Sequence, residues 1–317
     1  MHKKKKIIFL MGPTTSNKTK FAIKLTQILP IDLISVDSGL IYKELNVGTA
    51  KPNLEQLRIA PHSLINIKNI TEYYCAQSFR KDALCEIEKS LSNKRIPLLV
   101  GGTMFYYHAL IHGLSPLPSR NIHIRKKILK KFYLKSQDDL YKKLLSIDPI
   151  SASRIHPNDF QRILRALEVY FLSGKTMSDL IKNHTYKFPY HVLRFICFPK
   201  NKYILHRKIE YRLRKMLSSG FKEEVENLLI NSNFNKNNPG MKCLGYREMC
   251  DYLLDKISYK EMFYRTLLST KRLAKNQITW LKKEQNSFWL DSEKLTSINF
   301  IIKKICTYFN KKNNKYY

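Results

Sequence analysis

The segment Gly12-Pro13-Thr14-Thr15-Ser16-Asn17-Lys18-Thr19 carries the residue types that a bound phosphate needs. It follows the apolar run Ile7 to Met11 and leads at once into a helical pattern at Lys20, Phe21 and Ala22. In that setting consecutive backbone N–H groups at a helix N-terminus wrap an anion, Lys18 adds a point charge, and Thr19 offers a hydroxyl to Mg2+. The usual pattern is GxxxxGK[ST], and its second glycine is Asn17 here. Asparagine is the non-glycine residue that best tolerates left-handed backbone angles, so the loop is expected to keep its shape. The alternative is an ordinary strand-to-helix turn with a solvated Lys18. A phosphate loop alone names no reaction, because kinases, GTPases and other diphosphate users share it.

Two further positions add chemistry. Asp37 ends a second apolar run, Leu33 to Val36, and opens Asp37-Ser38-Gly39-Leu40. A carboxylate at the carboxyl end of a strand, close to a phosphate loop, can serve as a general base. It can equally cap a helix or stand near Mg2+. Thr103 follows Gly101 and Gly102 after a third apolar run, where glycines allow close backbone approach and Thr103 itself can cap a helix. His108 and His112 stand i,i+4, but HALIH lacks the glutamate of HExxH, and packing is expected there rather than zinc. Trp280 and Trp289 are expected in the core rather than as base-stacking platforms.

The elements that must position these groups follow from pattern. Apolar, β-branched runs at Ile7 to Met11, Leu33 to Val36, Ile96 to Val100, Val192 to Phe198 and Phe288 to Leu290 mostly precede helical patterns. Strands alternating with helices imply an α/β fold, a parallel sheet covered on both faces. Between Pro118 and Pro189 the strand signal disappears, with breaks at Pro149, Pro157 and Gly174. The expectation is an α/β core domain of residues 1–118 and 189–317 with an all-helical insertion at 119–188. The spacing also predicts a long helix from Ser258 to Lys283, with Phe263, Leu267, Thr270, Ala274, Ile278 and Leu281 on its packed stripe. Residues 310–317 read as a solvated tail.

Composition bounds the partners. The 317 residues carry 57 Lys and Arg against 25 Asp and Glu, a formal charge of +32, which points to a polyanion. Compositional drift toward Lys, Asn, Ile and Tyr is the competing cause. Six cysteines show neither a CxxC pair nor a disulfide framework, which suggests reduced thiols in a cytoplasmic protein. The apolar run after the basic start is too short for a signal peptide, and no other run reaches membrane-spanning length, so a soluble protein is expected.

Further motifs narrow the reading: Val47-Gly48-Thr49-Ala50-Lys51-Pro52, Ala60-Pro61-His62, Arg154-Ile155-His156-Pro157-Asn158-Asp159, Gln161-Arg162, Arg165-Ala166-Leu167-Glu168, Gly245-Tyr246-Arg247 and Gln277-Ile278-Thr279-Trp280-Leu281. With the loop, Asp37 and Thr103, this set closely resembles the bacterial tRNA dimethylallyltransferases, also called tRNA isopentenyltransferases, from about Ile7 to Asp291. The resemblance implies a P-loop-kinase-like core with a helical insertion, dimethylallyl diphosphate as donor, Mg2+ as cofactor, and the adenosine 3′ of the anticodon as acceptor. It implies Asp37 as general base, with Thr103 and Arg212 completing the catalytic set. Gly12, Thr14, Thr15, Ser16, Asn17, Lys18 and Thr19 would hold the diphosphate, with Thr19 as the metal ligand. The anticodon stem-loop would meet Asp37, Ser38, Gly39, Leu40, Thr103, Arg125, Gln161, Arg162, Arg165, Lys242, Gly245, Tyr246, Arg247, Lys275, Gln277 and Lys282. A monomer without membrane attachment is expected. A small-molecule P-loop kinase and a tRNA-binding protein that has lost catalysis are the alternatives. Eukaryotic relatives often carry an added zinc-finger region, and no Cys/His set of that spacing occurs here.

Overall fold

The computed structural model describes residues 4–132, 137–182, 186–199, 201–230, 238–294 and 296–309. The tail expected at 310–317 lies outside them. Six strands, β1 (Lys6–Met11), β2 (Ile31–Val36), β3 (His62–Ser63), β4 (Ile96–Gly101), β5 (His191–Phe198) and β6 (Ser287–Asp291), form one sheet in the order β3-β2-β4-β1-β5-β6. Every pairing is parallel. β3 escapes the sequence pattern because two residues are too few to show alternation.

Helices α1 (Lys18–Thr26), α2 (Leu54–Ile59), α3 (Ala76–Ser92) and α4 (Met104–His112) connect the first strands. After β5 come α10 (Lys202–Ser218), α11 (Phe221–Ile230), α12 (Tyr246–Leu253), α13 (Tyr259–Leu281) and, beyond β6, α14 (Thr296–Phe309). A strand covered on both faces must be apolar throughout, and β1 is: Ile7, Ile8, Phe9, Leu10 and Met11 are fully buried. On one face Phe21 and Leu25 of α1 and Ile301 and Ile305 of α14 join the cluster of Ile8, Leu10, Leu98 and Phe195. On the other, the Tyr107 ring lies 4.8 Å from that of Phe9, and its hydroxyl donates to the Leu99 carbonyl at 3.0 Å. Burial of each such side chain contributes about 1.5–3 kcal/mol.

The chain leaves β1 toward β2 on one side and leaves β4 toward β5 on the other. Adjacent β1 and β4 therefore flank the point where connection direction reverses, and a crevice opens there at the carboxyl ends of the strands.

The backbone divides into two compact units, Ile111–Phe188 and the remainder; the sequence expectation put the insertion at 119–188. The smaller unit holds α5 (Ile122–Phe132), α6 (Gln137–Ile147), α7 (Pro149–Arg154), α8 (Phe160–Ser173) and α9 (Met177–Lys182). Its own core is built from Ile128, Leu140, Leu144, Ile163, Leu164 and Leu167.

Helix α13 starts where the pattern put it: Ser258 caps it, its side chain accepting from the Glu261 N–H at 3.2 Å. Its buried stripe is rotated from the expected one, with Met262, Thr266, Leu267, Ala274, Gln277 and Leu281 inside and Phe263, Thr270 and Ile278 half-buried. Trp289 departs from the expected core placement. It stands on the edge strand β6, 46% exposed, with an edge contact to Phe198. Trp280 is half-buried, its ring 5.6 Å from that of His108. Among the described residues no helix is long and apolar enough to cross a membrane.

Candidate active site

The phosphate loop closes β1 onto α1. Asn17, the N-cap of α1, takes φ 57° and ψ 13°, the left-handed conformation expected of the residue that replaces glycine. Its side-chain amide donates to the Ser292 carbonyl at 2.9 Å, tying the loop to the segment after β6. Thr15 also has positive φ, 61°, and its buried hydroxyl has no hydrogen-bond partner. Gly12 is required by crowding: a Cβ would lie 2.4 Å from the Cys197 carbonyl oxygen and 2.5 Å from Ser16 Oγ. Ser16 Oγ and Lys18 Nζ both donate to the Pro13 carbonyl, at 2.8 and 2.7 Å. Thr19 is exposed at the first turn of α1.

The Thr14 amide corrects the expected picture of a loop whose N–H groups all face the anion. That amide donates to Gln277 Oε1 at 2.9 Å, and Gln277 Nε2 donates to the Gly102 carbonyl at 2.8 Å. Gln277, expected at the tRNA surface, is buried and braces the phosphate loop against the loop after β4.

Around this loop stand Asp37, Thr103 and Arg212. Asp37 leaves β2 half-buried, and its Oδ1 accepts the Gly39 N–H at 2.9 Å. Thr103 Oγ1 accepts the Ser38 N–H at 3.1 Å, and the Thr103 N–H donates to the Val36 carbonyl at 3.2 Å. The β2 and β4 turns are thus stitched together. Arg212, from α10, donates to Thr14 Oγ1 at 3.2 Å and to the Thr49 carbonyl at 2.9 Å. Burial lowers the Lys18 pKa to about 8, against the raising influence of Asp37 and Cys197, and Arg212 adds to the lowering. Burial also lowers that of Arg212, opposed by Asp37. Two half-buried cations thus lie within the electrostatic influence of one carboxylate while their hydrogen bonds go to Pro13, Thr14 and Thr49.

A sequence model of the family described as IPP transferase matches residues 40–284. The chain belongs to this family. A protein named tRNA dimethylallyltransferase from Buchnera aphidicola (subsp. Acyrthosiphon pisum, strain APS) is 51% identical over 284 residues, 90% of either chain. The tRNA isopentenylpyrophosphate transferase of Staphylococcus epidermidis is similar in structure, with a TM-score of 0.69 at 28% identity, over 98% of this chain and 100% of that one. A eukaryotic dimethylallyltransferase, solved acting on tRNA, aligns with a TM-score of 0.80 at 25% identity, over 98% of this chain and 81% of that one. The six-stranded parallel sheet with flanking helices is the fold of these transferases.

In the larger unit, the other residues expected to meet tRNA divide by exposure. Ser38, Lys242, Arg247, Lys275 and Lys282 are exposed, while Gly39 and Leu40 are half-buried. Tyr246 is a correction. It is fully buried against Phe221, and its hydroxyl donates to Glu224 Oε1 at 2.6 Å, so it supports the site from within. Gly245 is buried beside it at φ 90°, the turn that starts α12.

In the smaller unit Gln161 and Arg162 are exposed, and Arg162 also pairs with Asp159, the N-cap of α8, at 2.7 Å. Arg125 and Arg165 are committed to Glu168, whose side chain is fully buried. Arg125 makes a two-pronged contact at 3.0 and 2.9 Å, and Arg165 donates at 2.7 Å and also to the Pro118 carbonyl at 2.6 Å. Burial pushes the Glu168 pKa up, but Arg125, Arg165 and the Asn121 N–H more than offset it and hold the value at about 2. Glu168 stands in a motif noted in the sequence but received no role there. Its signal was a carboxylate on the packed side of α8, between Leu167 and Val169, three residues after an arginine.

Proposed function

We propose that this chain transfers a dimethylallyl group from dimethylallyl diphosphate to the exocyclic amine of the adenosine 3′ of the tRNA anticodon, releasing pyrophosphate, and that it does so as a cytoplasmic monomer. The observation that carries this reading is the convergence of Lys18, Arg212 and Asp37 on one phosphate loop in a member of the IPP transferase family. Its 51% identical relative bears the name tRNA dimethylallyltransferase.

The exocyclic amine is a weak nucleophile because its lone pair is delocalised into the ring. In the proposed step its nitrogen attacks the allylic carbon, the carbon–oxygen bond to the diphosphate breaks, and Asp37 accepts the amine proton. The Gly39 N–H fixes one Asp37 oxygen, which leaves the other for that proton. Negative charge grows on the departing diphosphate, where Lys18, Arg212 and the loop amides beyond Thr14 stabilise it without reorganising. Thr103, held by Ser38, keeps its hydroxyl proton for the acceptor nucleotide. The adenosine must leave its stack to reach Asp37.

The donor set suits magnesium. Mg2+ is held through one or two protein oxygens together with substrate phosphates and water, and the exposed Thr19 hydroxyl beside the loop provides such an oxygen. Bound there, the ion would neutralise charge on the diphosphate. The left-handed Asn17 argues against a degenerate binder, since the loop keeps its form without the glycine. The test is incubation of the pure protein with labelled dimethylallyl diphosphate, Mg2+ and an anticodon stem-loop, followed by mass analysis of the nucleosides. A prenylated adenosine is expected. Unmodified nucleosides there, with label transferred from the γ-phosphate of ATP in a parallel incubation, would overturn the reading in favour of a kinase.

A further inference from the structure

Arg212 is held at the phosphate loop by two contacts, and one of them depends on a distant carboxylate. The guanidinium donates to the carbonyl of Thr49, which belongs to an irregular segment with no strand or helix to fix it. What fixes it is Glu224, on α11. Its Oε2 accepts the N–H groups of Asn46 at 3.0 Å and Val47 at 2.7 Å, and its Oε1 accepts that of Gly48 at 3.3 Å. Three successive backbone donors thus converge on one carboxylate, an arrangement suited to an anion and to nothing neutral of the same shape.

The fourth donor to Glu224 is the Tyr246 hydroxyl at 2.6 Å. Tyr246 also closes the space behind the segment: a Cβ on Gly48 would lie 2.2 Å from the Phe221 ring and 2.6 Å from that of Tyr246. From the other side Lys51 Nζ clasps the Tyr42 carbonyl at 2.7 Å and the Asn46 and Asn66 side chains at 2.9 and 2.6 Å. The Thr49 carbonyl therefore has one place to be. A displaced Thr49 would leave Arg212 with Thr14 Oγ1 alone, and a long flexible side chain held at a single point loses its aim.

We infer that Glu224, oriented by Tyr246, is a positioning residue for the diphosphate site, acting through the Thr49 carbonyl on Arg212. This rests on the reading of Arg212 as a diphosphate ligand. Glu224→Gln keeps the volume but turns one acceptor into a donor facing donors, so the carboxylate's grip on residues 46–48 fails.

The test is a double-mutant cycle read by titration of the full-length protein with dimethylallyl diphosphate and Mg2+, using the native form, Glu224→Gln, Arg212→Ala and the double variant. Each single variant is expected to weaken donor binding by about tenfold or more, the scale of one lost hydrogen bond to a charged group. In the Arg212→Ala background Glu224→Gln should cost nothing further. Additive losses would overturn the inference while leaving Arg212 as a ligand. An Arg212→Ala protein that binds donor like the native form would overturn the reading of Arg212 and the inference with it. Should Glu224→Gln fail to fold, Tyr246→Phe takes its place in the cycle, since it removes one hydroxyl and leaves the carboxylate intact. The same non-additivity is then expected at a smaller amplitude, and additivity again refutes.

Discussion

The strand-end crevice and the helical insertion both set cationic side chains in the field of a carboxylate, and they handle the charge in opposite ways. In the insertion, Glu168 is buried with Arg125, Arg165 and the Asn121 N–H on it, a cluster closed within the insertion. In the crevice, Lys18 and Arg212 lie desolvated near Asp37 with their attraction only partly answered. A charge cluster closed on itself shapes a fold, whereas one left open awaits a ligand. Arginines expected from sequence at the RNA thus include two, Arg125 and Arg165, whose observed contacts hold their own domain together.

Asp37→Ala should give the largest effect. Removing a general base typically costs about 10² to 10⁴-fold in rate, so single-turnover transfer should fall within that range while tRNA binding changes little. A loss below about fivefold would deny Asp37 the base role. The matching cut in the insertion is Glu168→Ala, which strands two arginines near a buried cavity. Breaking a buried pair in this way costs about 3–5 kcal/mol, and urea unfolding followed by proteolysis should show the loss confined to residues 111–188. Arg165→Ala should destabilise the same unit, so any weakening of tRNA binding by that change must be compared at matched folding with Arg162→Ala, whose side chain is largely exposed.

A pH titration sharpens the contrast. Lys18 in the folded free protein titrates near 8 instead of its ordinary 10.5. Above about pH 8 it loses its proton, and donor affinity should decline by up to about tenfold per pH unit. Stability moves the other way: between these values the unfolded chain binds more protons than the folded one, so stability rises with pH across that window. Lys51, lowered to about 8 by burial, contributes to the rise in stability and reaches the phosphate loop only indirectly, through the segment that holds Thr49. Lys18→Met should therefore flatten the affinity profile and leave part of the stability profile. An affinity that stays constant from pH 7 to 10 in the native protein would place Lys18 outside the diphosphate site.

The smallest effect is expected at Asn17. Asn17→Gly relaxes the left-handed backbone but gives up the amide bond to Ser292, two changes of about 1 kcal/mol with opposite sign. Donor affinity should stay within about threefold of native in calorimetric titration. Asn17→Val lacks both advantages, and its branched Cβ is strained at φ 57°. Its donor affinity should fall by more than about tenfold. Equal affinity in all three forms would remove the loop from donor binding.

Much of this was legible in the sequence because it rests on local pattern. The five longer strands, the start of α13 at Ser258 and the left-handed Asn17 each follow from a few adjacent residues. What was missed depends on contacts between segments far apart in the chain. Gln277 falls on a helix whose polar residues mostly face water, and nothing near it reveals that its amide spans Thr14 and Gly102. Tyr246 sits in a motif beside exposed Arg247, and its burial follows only from where α11 places Phe221 and Glu224. Trp289 shows the reverse error: on the edge strand β6 its neighbour Leu290 points to the covered face and is buried, while Trp289 points to the opposite face and stays exposed.

The left-handed Asn17 carries a consequence at the level of the gene. Glycine is written by codons that open with paired guanines, asparagine by codons that open with paired adenines. This chain has 10 glycines in 317 residues. Gly12, Gly48 and Gly101 have no room for a Cβ, which would lie 2.4, 2.2 and 2.0 Å from its nearest neighbour. Asn17 sits where the position asks for a left-handed backbone and leaves room for a side chain, and Asn66 and Asn286 hold positive φ as well. Mutational pressure toward adenine and thymine can therefore replace a glycine that serves by its torsion, although Gly174 and Gly220 persist at positive φ with open space around them, and must spare Gly12, Gly48 and Gly101, which serve by their emptiness.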